Sequence, residues 1–186
     1  MILGVVSDTH GSLLWWRKAY EYLKDADAII HCGDVFYHGV KNPIPEGYDT
    51  LGLAQALNEI RVPLLIAKGN CDSSVDQVVL DFPMSSGMAS IHTPGGVVLA
   101  QHGDVADRSV QEKWVRRAHL AAFVSGHTHI PKIEKVGDAV LMNPGSVSIP
   151  LGGSFRSVGK LILDCNRRCA TVFNLEASCT AVEEEF

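Results

Sequence analysis

Met1-Ile-Leu-Gly-Val-Val-Ser-Asp-Thr-His10 runs apolar from Ile2 to Val6 and then places Asp8 and His10 one residue apart, just before Gly11. An apolar, Val-rich run of this length reads as a strand buried on both faces. The polar residues then fall where the strand ends and the chain turns. In open α/β sheets, ligands collect at the carboxyl ends of strands. Asp8 and His10 therefore read as the start of a metal site at a strand tip. On these ten residues alone a solvated turn fits equally well, because Asp, Thr and Gly all suit turns.

The same cargo recurs further along. Ser12 is placed to cap a helix over Leu13 to about Lys24, whose residues Leu14, Trp15, Ala19, Tyr22 and Leu23 repeat at helical spacing. Ala28-Ile-Ile-His31 reads as a second strand and ends in Cys32-Gly33-Asp34. Strand, helix, strand marks a parallel sheet. Residues 36–50, with Pro43, Pro45 and Gly47, read as a loop that is either a substrate lid or a connector. A helix from about Thr50 to Ile60 precedes a third strand, Pro63-Leu-Leu-Ile-Ala67, which ends in Lys68-Gly69-Asn70-Cys71-Asp72.

Ser85 to Thr93 and Val97 to Gln101 read as a hairpin around Pro94-Gly95-Gly96, so the later part of the sheet structure is partly antiparallel. Its second strand ends in His102-Gly103-Asp104. Arg108 to Leu120 reads as a helix, and Ala121 to Ser125 as a strand running into Gly126-His127-Thr128-His129. A hairpin at Gly137-Asp138, a tight turn at Asn143-Pro-Gly-Ser146, and strands over Ser157 to Leu163 and Cys169 to Asn174 follow. Glu183-Glu-Glu-Phe186 reads as a frayed acidic tail. No repeat or linker composition divides the 186 residues, so a single domain over 1–186 is expected.

Hydrophobic residues make up 46% and charged residues 20%, an ordinary globular balance. The net charge of −5 implies no broad basic surface and counts against a nucleic acid held through charge. Five cysteines, an odd number without a CxxC pair, suit reduced thiols. Asp8 interrupts the first apolar run before it could serve as a signal peptide, and no stretch approaches the length of a membrane span. The expectation is a cytoplasmic protein with no membrane segment. His31, His92 and His119 lack strand-tip placement and read as ordinary core or surface histidines.

Five strand ends thus supply Asp8 and His10, Asp34, Asn70, His102, and His127 with His129. Oxygen and imidazole donors together suit divalent Mn, Fe, Zn, Co or Ni better than Ca or Mg. No thiolate is required, which argues against a structural zinc knot. Seven donors are too many for one tetrahedral ion and fit two ions sharing a bridging carboxylate. Ion pairs about 3.5–4 Å apart are a known arrangement for hydrolysing phosphate esters.

The ordered series Asp8-x-His10, Gly33-Asp34, Gly69-Asn70, His102 and Gly126-His-Thr-His129 resembles the calcineurin-like metallophosphoesterase superfamily. Gly33-Asp-Val-Phe-Tyr-His-Gly39, Gly69-Asn-Cys-Asp72 and Asn143-Pro-Gly-Ser-Val-Ser-Ile-Pro150 narrow the likeness to its YfcE-type branch of small phosphodiesterases. The resemblance covers nearly the whole chain. It implies an α/β fold of two mixed β-sheets packed as a sandwich and flanked by helices. It implies that Asp8, His10, Asp34 and His129 hold a first metal, and that Asp34, Asn70, His102 and His127 hold a second. Asp34 is then the bridge, and with Asn70 it stands at the catalytic centre. A hydroxide between two divalent ions, Mn foremost, would attack the phosphorus of a small phosphodiester, with a weaker action on phosphomonoesters.

Two departures bear on substrate. Cys71 stands where many superfamily members carry a His that can protonate the leaving group, and a thiol with a free pKa of about 8.5 is not an equivalent acid. The YfcE-type branch shares this Cys. Asp104 stands where that branch carries His; it could support a ligand histidine, repel an anionic substrate, or be a solvated turn residue. His38, in the loop after Asp34, could touch the substrate phosphate. Two other functions compete: an interaction scaffold like the retromer subunit that resembles this fold, which has a degraded site, and a nuclease. The intact ligand set counts against the first, and the acidic balance against the second. The apolar and aromatic residues around the 36–50 loop leave a homo-oligomer open.

Overall fold

The Ile2–Val6 run forms strand β1, and Leu3 to Val6 are all buried. The computed structural model describes residues 1–186. The strands that follow in chain order are β2 (Ala28–His31), β3 (Leu64–Ala67), β4 (Met84–Ser85), β5 (Ala89–Thr93), β6 (Gly96–Ala100), β7 (Ala122–Val124), β8 (Lys132–Val136), β9 (Ala139–Asn143), β10 (Ser157–Leu163), β11 (Arg168–Asn174) and β12 (Cys179–Glu185). The α-helices are α1 (Leu13–Leu23), α2 (Thr50–Asn58) and α3 (Arg108–Ala118). Seven strands form one mixed sheet in the order β12-β11-β10-β1-β2-β3-β4, and five form a second in the order β5-β6-β7-β9-β8. No helix is long and apolar enough to cross a membrane.

Side chains alternate across a strand, and β1 shows what that does here. Leu3 and Val5 enter the core between the sheets, with Ile30, Val98, Val124, Val140 and Leu161. Val6 points the other way, into a second core with Trp16, Leu23, Ile29, Leu53 and Ile66 under α1 and α2. A third cluster of Val115, Phe123 and Leu141 seats α3 on the outside of the five-stranded sheet. The Ser12 side chain caps α1 by accepting from Trp15 N at 3.3 Å, as its sequence position suggested.

In the larger sheet β1, β2 and β3 run parallel, and in the smaller one β6, β7 and β9 do. Each set delivers its connecting turns at carboxyl ends, which is where the polar motifs lie.

Two expected elements come out differently. Ser85 to Thr93 is not one strand. Met84–Ser85 pairs with Ile66 and Ala67 in the larger sheet, while Ala89–Thr93 pairs with β6 in the smaller one. The chain turns between them, where Ser85 Oγ donates to Met88 O at 2.5 Å. The acidic terminus is not frayed either. β12 pairs along β11, and Phe186 N donates to Arg168 O at 3.1 Å. Val182 and Phe186 pack against the inter-sheet core while the glutamates occupy an exposed edge, where charge deters further strand pairing.

Candidate metal centre

All seven sequence-expected donors sit just past the carboxyl end of a parallel strand. Asp8 and His10 follow β1, Asp34 follows β2, Asn70 follows β3, His102 follows β6, and His127 and His129 follow β7. Asp8, His10, Asp34, His127 and His129 have φ values of 55°, 44°, 57°, 68° and 59°. Only two other non-glycine residues, His119 and Ser178, have positive φ. Left-handed backbone is strained for residues with a side chain and persists where surrounding structure imposes it. Here the imposing bonds are Asp8 N to Gly33 O (3.0 Å), His10 N to Asp34 O (3.0 Å) and Gly11 N to Val35 O (2.8 Å). Ser146 Oγ and Ser148 Oγ both donate to Asp8 O, at 2.8 and 3.1 Å. Gly33 and Gly69 let the second and third strand tips close, since a Cβ on either would collide with the other tip.

The donors converge as two groups. In the first, His129 Nε2 lies 3.3 Å from Asp8 Oδ1 and 3.2 Å from His10 Nε2. His10 Nε2 lies 3.8 Å from Asp8 Oδ1 and 3.8 Å from Asp34 Oδ2. In the second, Asn70 Oδ1 lies 3.0 Å from His102 Nε2 and 2.9 Å from His127 Nδ1. His127 Nδ1 and His102 Nε2 are 3.3 Å apart, and His102 Nε2 is 3.5 Å from Asp34 Oδ1. Asp34 thus offers one carboxylate oxygen to each group. The first group is buried, while Asn70 and His127 are exposed, so the second group faces solvent.

The hydrogen-bond pattern shows that this donor set fits cations. His10, His129 and His102 each set Nδ1 against a backbone carbonyl, of Tyr37 (2.7 Å), Ile149 (2.6 Å) and Cys32 (2.7 Å). A carbonyl only accepts, so each Nδ1 carries the hydrogen and each neutral ring presents a bare Nε2. The Nε2 lone pairs of His10 and His129 then confront each other beside Asp8 Oδ1, a buried atom with no hydrogen-bond partner. Such an arrangement is stable only around positive charge. A metal-free centre must supply it as protons. Burial disfavours a charged His102, but Asp34 and Asp8 outweigh it and raise its pKa to about 9. His129 is raised for the same reason, burial being outweighed by Asp8. Burial also works against ionised Asp8 and Asp34, yet His129 beside the one and His102 beside the other hold both below the ordinary carboxylate value.

Residues without a role in the sequence reading frame this centre. Asp72 is buried, and its carboxylate accepts Asp34 N (2.8 Å) and Gly69 N (2.8 Å) on Oδ2 and Val35 N (2.7 Å) on Oδ1. It ties the turn carrying Asp34 to the turn carrying Asn70. His31 is a core histidine, as expected, and is fully committed. Thr9 Oγ1 donates to Val35 O (2.8 Å), so His31 Nε2 donates to Thr9 Oγ1 (3.0 Å), and Nδ1 accepts Gly33 N (3.1 Å). His92 and His119 are exposed.

The three substrate-contact candidates differ in placement. Cys71 belongs to the centre: its N donates to Asp34 Oδ1 at 2.8 Å, and its Sγ lies within 4.8 Å of donor atoms of His10 and Asp34. Burial and the Asp34 charge push its thiol up to about 12. His38 is half-buried, with its ring edge-on to Tyr37 and Tyr48 at centroid distances of 4.9 and 5.5 Å. Asp104 is exposed, and the Nδ1 atoms of His10, His102 and His129 go to backbone carbonyls rather than to its carboxylate.

The model of the calcineurin-like phosphoesterase superfamily domain matches residues 1–167. The chain belongs to that superfamily. It is 36% identical over 163 residues to phosphodiesterase YfcE of Escherichia coli strain K12, covering 87% of each protein. The solved structure of YfcE, a phosphoesterase from E. coli, matches with a TM-score of 0.85 at 32% identity, over 99% of this chain and 98% of that one. Vacuolar Protein Sorting 29 from Cryptosporidium parvum matches with a TM-score of 0.69 over 100% of this chain and 97% of that one. At 19% identity that likeness concerns the fold alone. The chain is thus YfcE-like, with the expected two-sheet α/β fold, and is a hydrolase of phosphoric ester bonds.

Proposed function

We propose that the chain is a phosphodiesterase working with two divalent metal ions, and that residues 1–186 act as one domain. The observation that carries this reading is the Asp34 carboxylate, which turns one oxygen to each of two donor groups. Asp8, His10, Asp34 and His129 would hold the first ion, and Asp34, Asn70, His102 and His127 the second. When bound, such ions, with Mn the best suited, supply Lewis acidity and lower the pKa of the water that attacks phosphorus.

The chain's own residues do the rest. Nδ1–H bonds to Tyr37, Ile149 and Cys32 carbonyls fix three imidazoles with Nε2 turned inward. Ser146 and Ser148 hold the Asp8 backbone. Exposure of Asn70 and His127 gives a small phosphodiester its way in, and the substrate contacts we assign are Cys71, within 4.8 Å of donor atoms of His10 and Asp34, and His38, in the loop after Asp34. The Cys71 thiol, next to these donors, is not the equivalent of a histidine as a proton donor to a departing alkoxide. Aryl diesters should therefore be hydrolysed best, and phosphomonoesters weakly. Five free cysteines suit a cytoplasmic setting.

The test is Mn-dependent hydrolysis of an aryl phosphodiester, with Asp34→Asn as control. Hydrolysis that Asp34→Asn abolishes supports the reading. Failure with several metals would favour the scaffold alternative, and cleavage of single-stranded DNA or RNA in preference to small diesters would favour the nuclease.

A further inference from the structure

The segment between Asp34 and α2 runs beside the centre and is pinned at both ends to the turn that carries Asp8 and His10. At its start, Val35 O accepts from Gly11 N (2.8 Å) and Tyr37 O from His10 Nδ1 (2.7 Å). At its end, Glu46 O accepts from Ser12 Oγ (2.6 Å), Gly47 O from Leu13 N (3.0 Å), and Asp49 N donates to Gly11 O (2.8 Å). Pro43 and Pro45 fix two φ angles in between, and Pro43 disfavours helical backbone at Asn42 before it. The segment is thus held in place without help from a ligand.

Asn42 is where this segment adds a polar group beside the donors. Gly39 is buried, and a Cβ there would stand 3.3 Å from Cys71 Sγ and 3.5 Å from Asn42 Nδ2. The thiol and the amide therefore flank the same point, in front of a residue that brings no side chain. Cys71 Sγ lies within 4.8 Å of donor atoms of His10 and Asp34, and it accepts from Asn70 Nδ2 at 3.3 Å. Counted outward from the donors, Asn42 comes next after Cys71. The side chains of Asn58, Asn143 and Asn174 are bonded to backbone groups, whereas the half-buried amide of Asn42 has no hydrogen-bond partner in the chain. Water can satisfy such an amide in the free protein. An anion at the centre would replace that water with a charge-assisted hydrogen bond, which is stronger.

A phosphodiester carries its negative charge on the two oxygens that do not belong to its ester arms. We infer that Asn42 is a substrate-binding residue, whose Nδ2–H donates to one of these oxygens while the bare Gly39 lets the phosphate approach between the amide and Cys71. An amide holds a charge without giving up its proton, so Asn42 takes no part in protonating the leaving group. Because its segment is fixed beforehand, the bond costs little reorganisation. The inference rests on the phosphodiesterase reading above.

The test uses Mn-loaded full-length protein with bis(4-nitrophenyl) phosphate as substrate and inorganic phosphate as an unreactive ligand. Asn42→Ala should lower kcat/KM about 10-fold or more, the loss expected for one hydrogen bond to a charged group. The Kd of inorganic phosphate, read by calorimetry, should rise by a similar factor. Asn42→Asp, of the same size, sets a carboxylate against the anion and should lower kcat/KM further, with the gap between the two variants narrowing as salt is raised. Mn content and Tm should stay at the wild-type level in both, which separates contact with substrate from support of the centre. Unchanged kcat/KM and phosphate affinity in Asn42→Ala, or a loss that is accompanied by lost Mn, would overturn this inference and leave the phosphodiesterase reading standing. Should Asn42→Ala fail to fold, wild-type kcat/KM in Asn42→Asp would overturn it equally. No hydrolysis by the wild type would overturn both.

Discussion

Asp72→Asn tests how the centre is held. Asp72 accepts three backbone N–H groups from two turns, and an asparagine has one acceptor oxygen. If that oxygen takes the place of Oδ2, the bonds from Asp34 N and Gly69 N survive in weaker, uncharged form. Val35 N then faces an NH₂ group. A hydrogen bond to a charged group contributes about 1.5–3 kcal/mol, and an orphaned buried donor costs about 1–3 kcal/mol. Burial already pushes the Asp72 carboxyl above its ordinary pKa, against the pull of the Gly69 and Val35 N–H groups, so removing the charge returns part of the loss. A net cost of about 3 kcal/mol follows, or a fall in Tm of roughly 6–12 °C for a chain of this size. Loosening the two turns should also weaken Mn binding about 10- to 100-fold, the usual effect of losing a support behind metal ligands. Thermal unfolding of the metal-free protein and Mn titration by calorimetry read the two effects separately. A Tm change under about 2 °C would refute the hydrogen-bond argument. Lost stability with unchanged Mn affinity would refute the positioning role.

Two other perturbations reach different parts of the account. Cys71→His should raise the rate on alkyl relative to aryl phosphodiesters, because an imidazolium can protonate a poor leaving group and a thiol is not an equivalent acid; an unchanged alkyl-to-aryl ratio would sink this idea. His31 is held neutral, since burial lowers its pKa from 6.5 to about 4 and a proton on Nδ1 would meet Gly33 N–H head on. Its folded pKa is depressed, so its contribution is complete above about pH 6.5 and is lost as pH falls towards 4, roughly 3 kcal/mol in all. Urea unfolding of the metal-free protein should show that slope, and His31→Gln should flatten it; equal slopes in the two proteins would reject the assignment.

The strand tips were legible because each combines two local signals, a short apolar run and a Gly beside a donor residue. Asp8, Asp34, Asn70, His102 and the His127–His129 pair all announce themselves in this way, and the order of the motifs carried the fold with them. Asp72 was quoted within a motif but given no task. Its partners are backbone N–H groups up to 38 residues away, and such bonds leave no mark on local composition. The left-handed backbone at five donors was equally invisible, as it is imposed by bonds to neighbouring tips. Where the reading failed, pairing partners decided the outcome. Glu183 to Glu185 look like a solvated tail until β11 offers an edge, and Ser85 to Thr93 look continuous until each half finds a different sheet. Asp104 had three competing roles in the sequence, because a carboxylate near His102 carries no local mark of its partner; it is exposed, and the Nδ1 atoms of His10, His102 and His129 bond backbone carbonyls.

The most direct test of the two-ion centre is a count of metal per chain after Mn loading and desalting, made by elemental analysis on the wild type, His10→Ala and Asp34→Asn. The geometry predicts about two equivalents in the wild type, about one in His10→Ala, where only the buried first group is broken, and close to none in Asp34→Asn. His10→Ala retaining the wild-type amount, or Asp34→Asn losing no more than His10→Ala does, would contradict it.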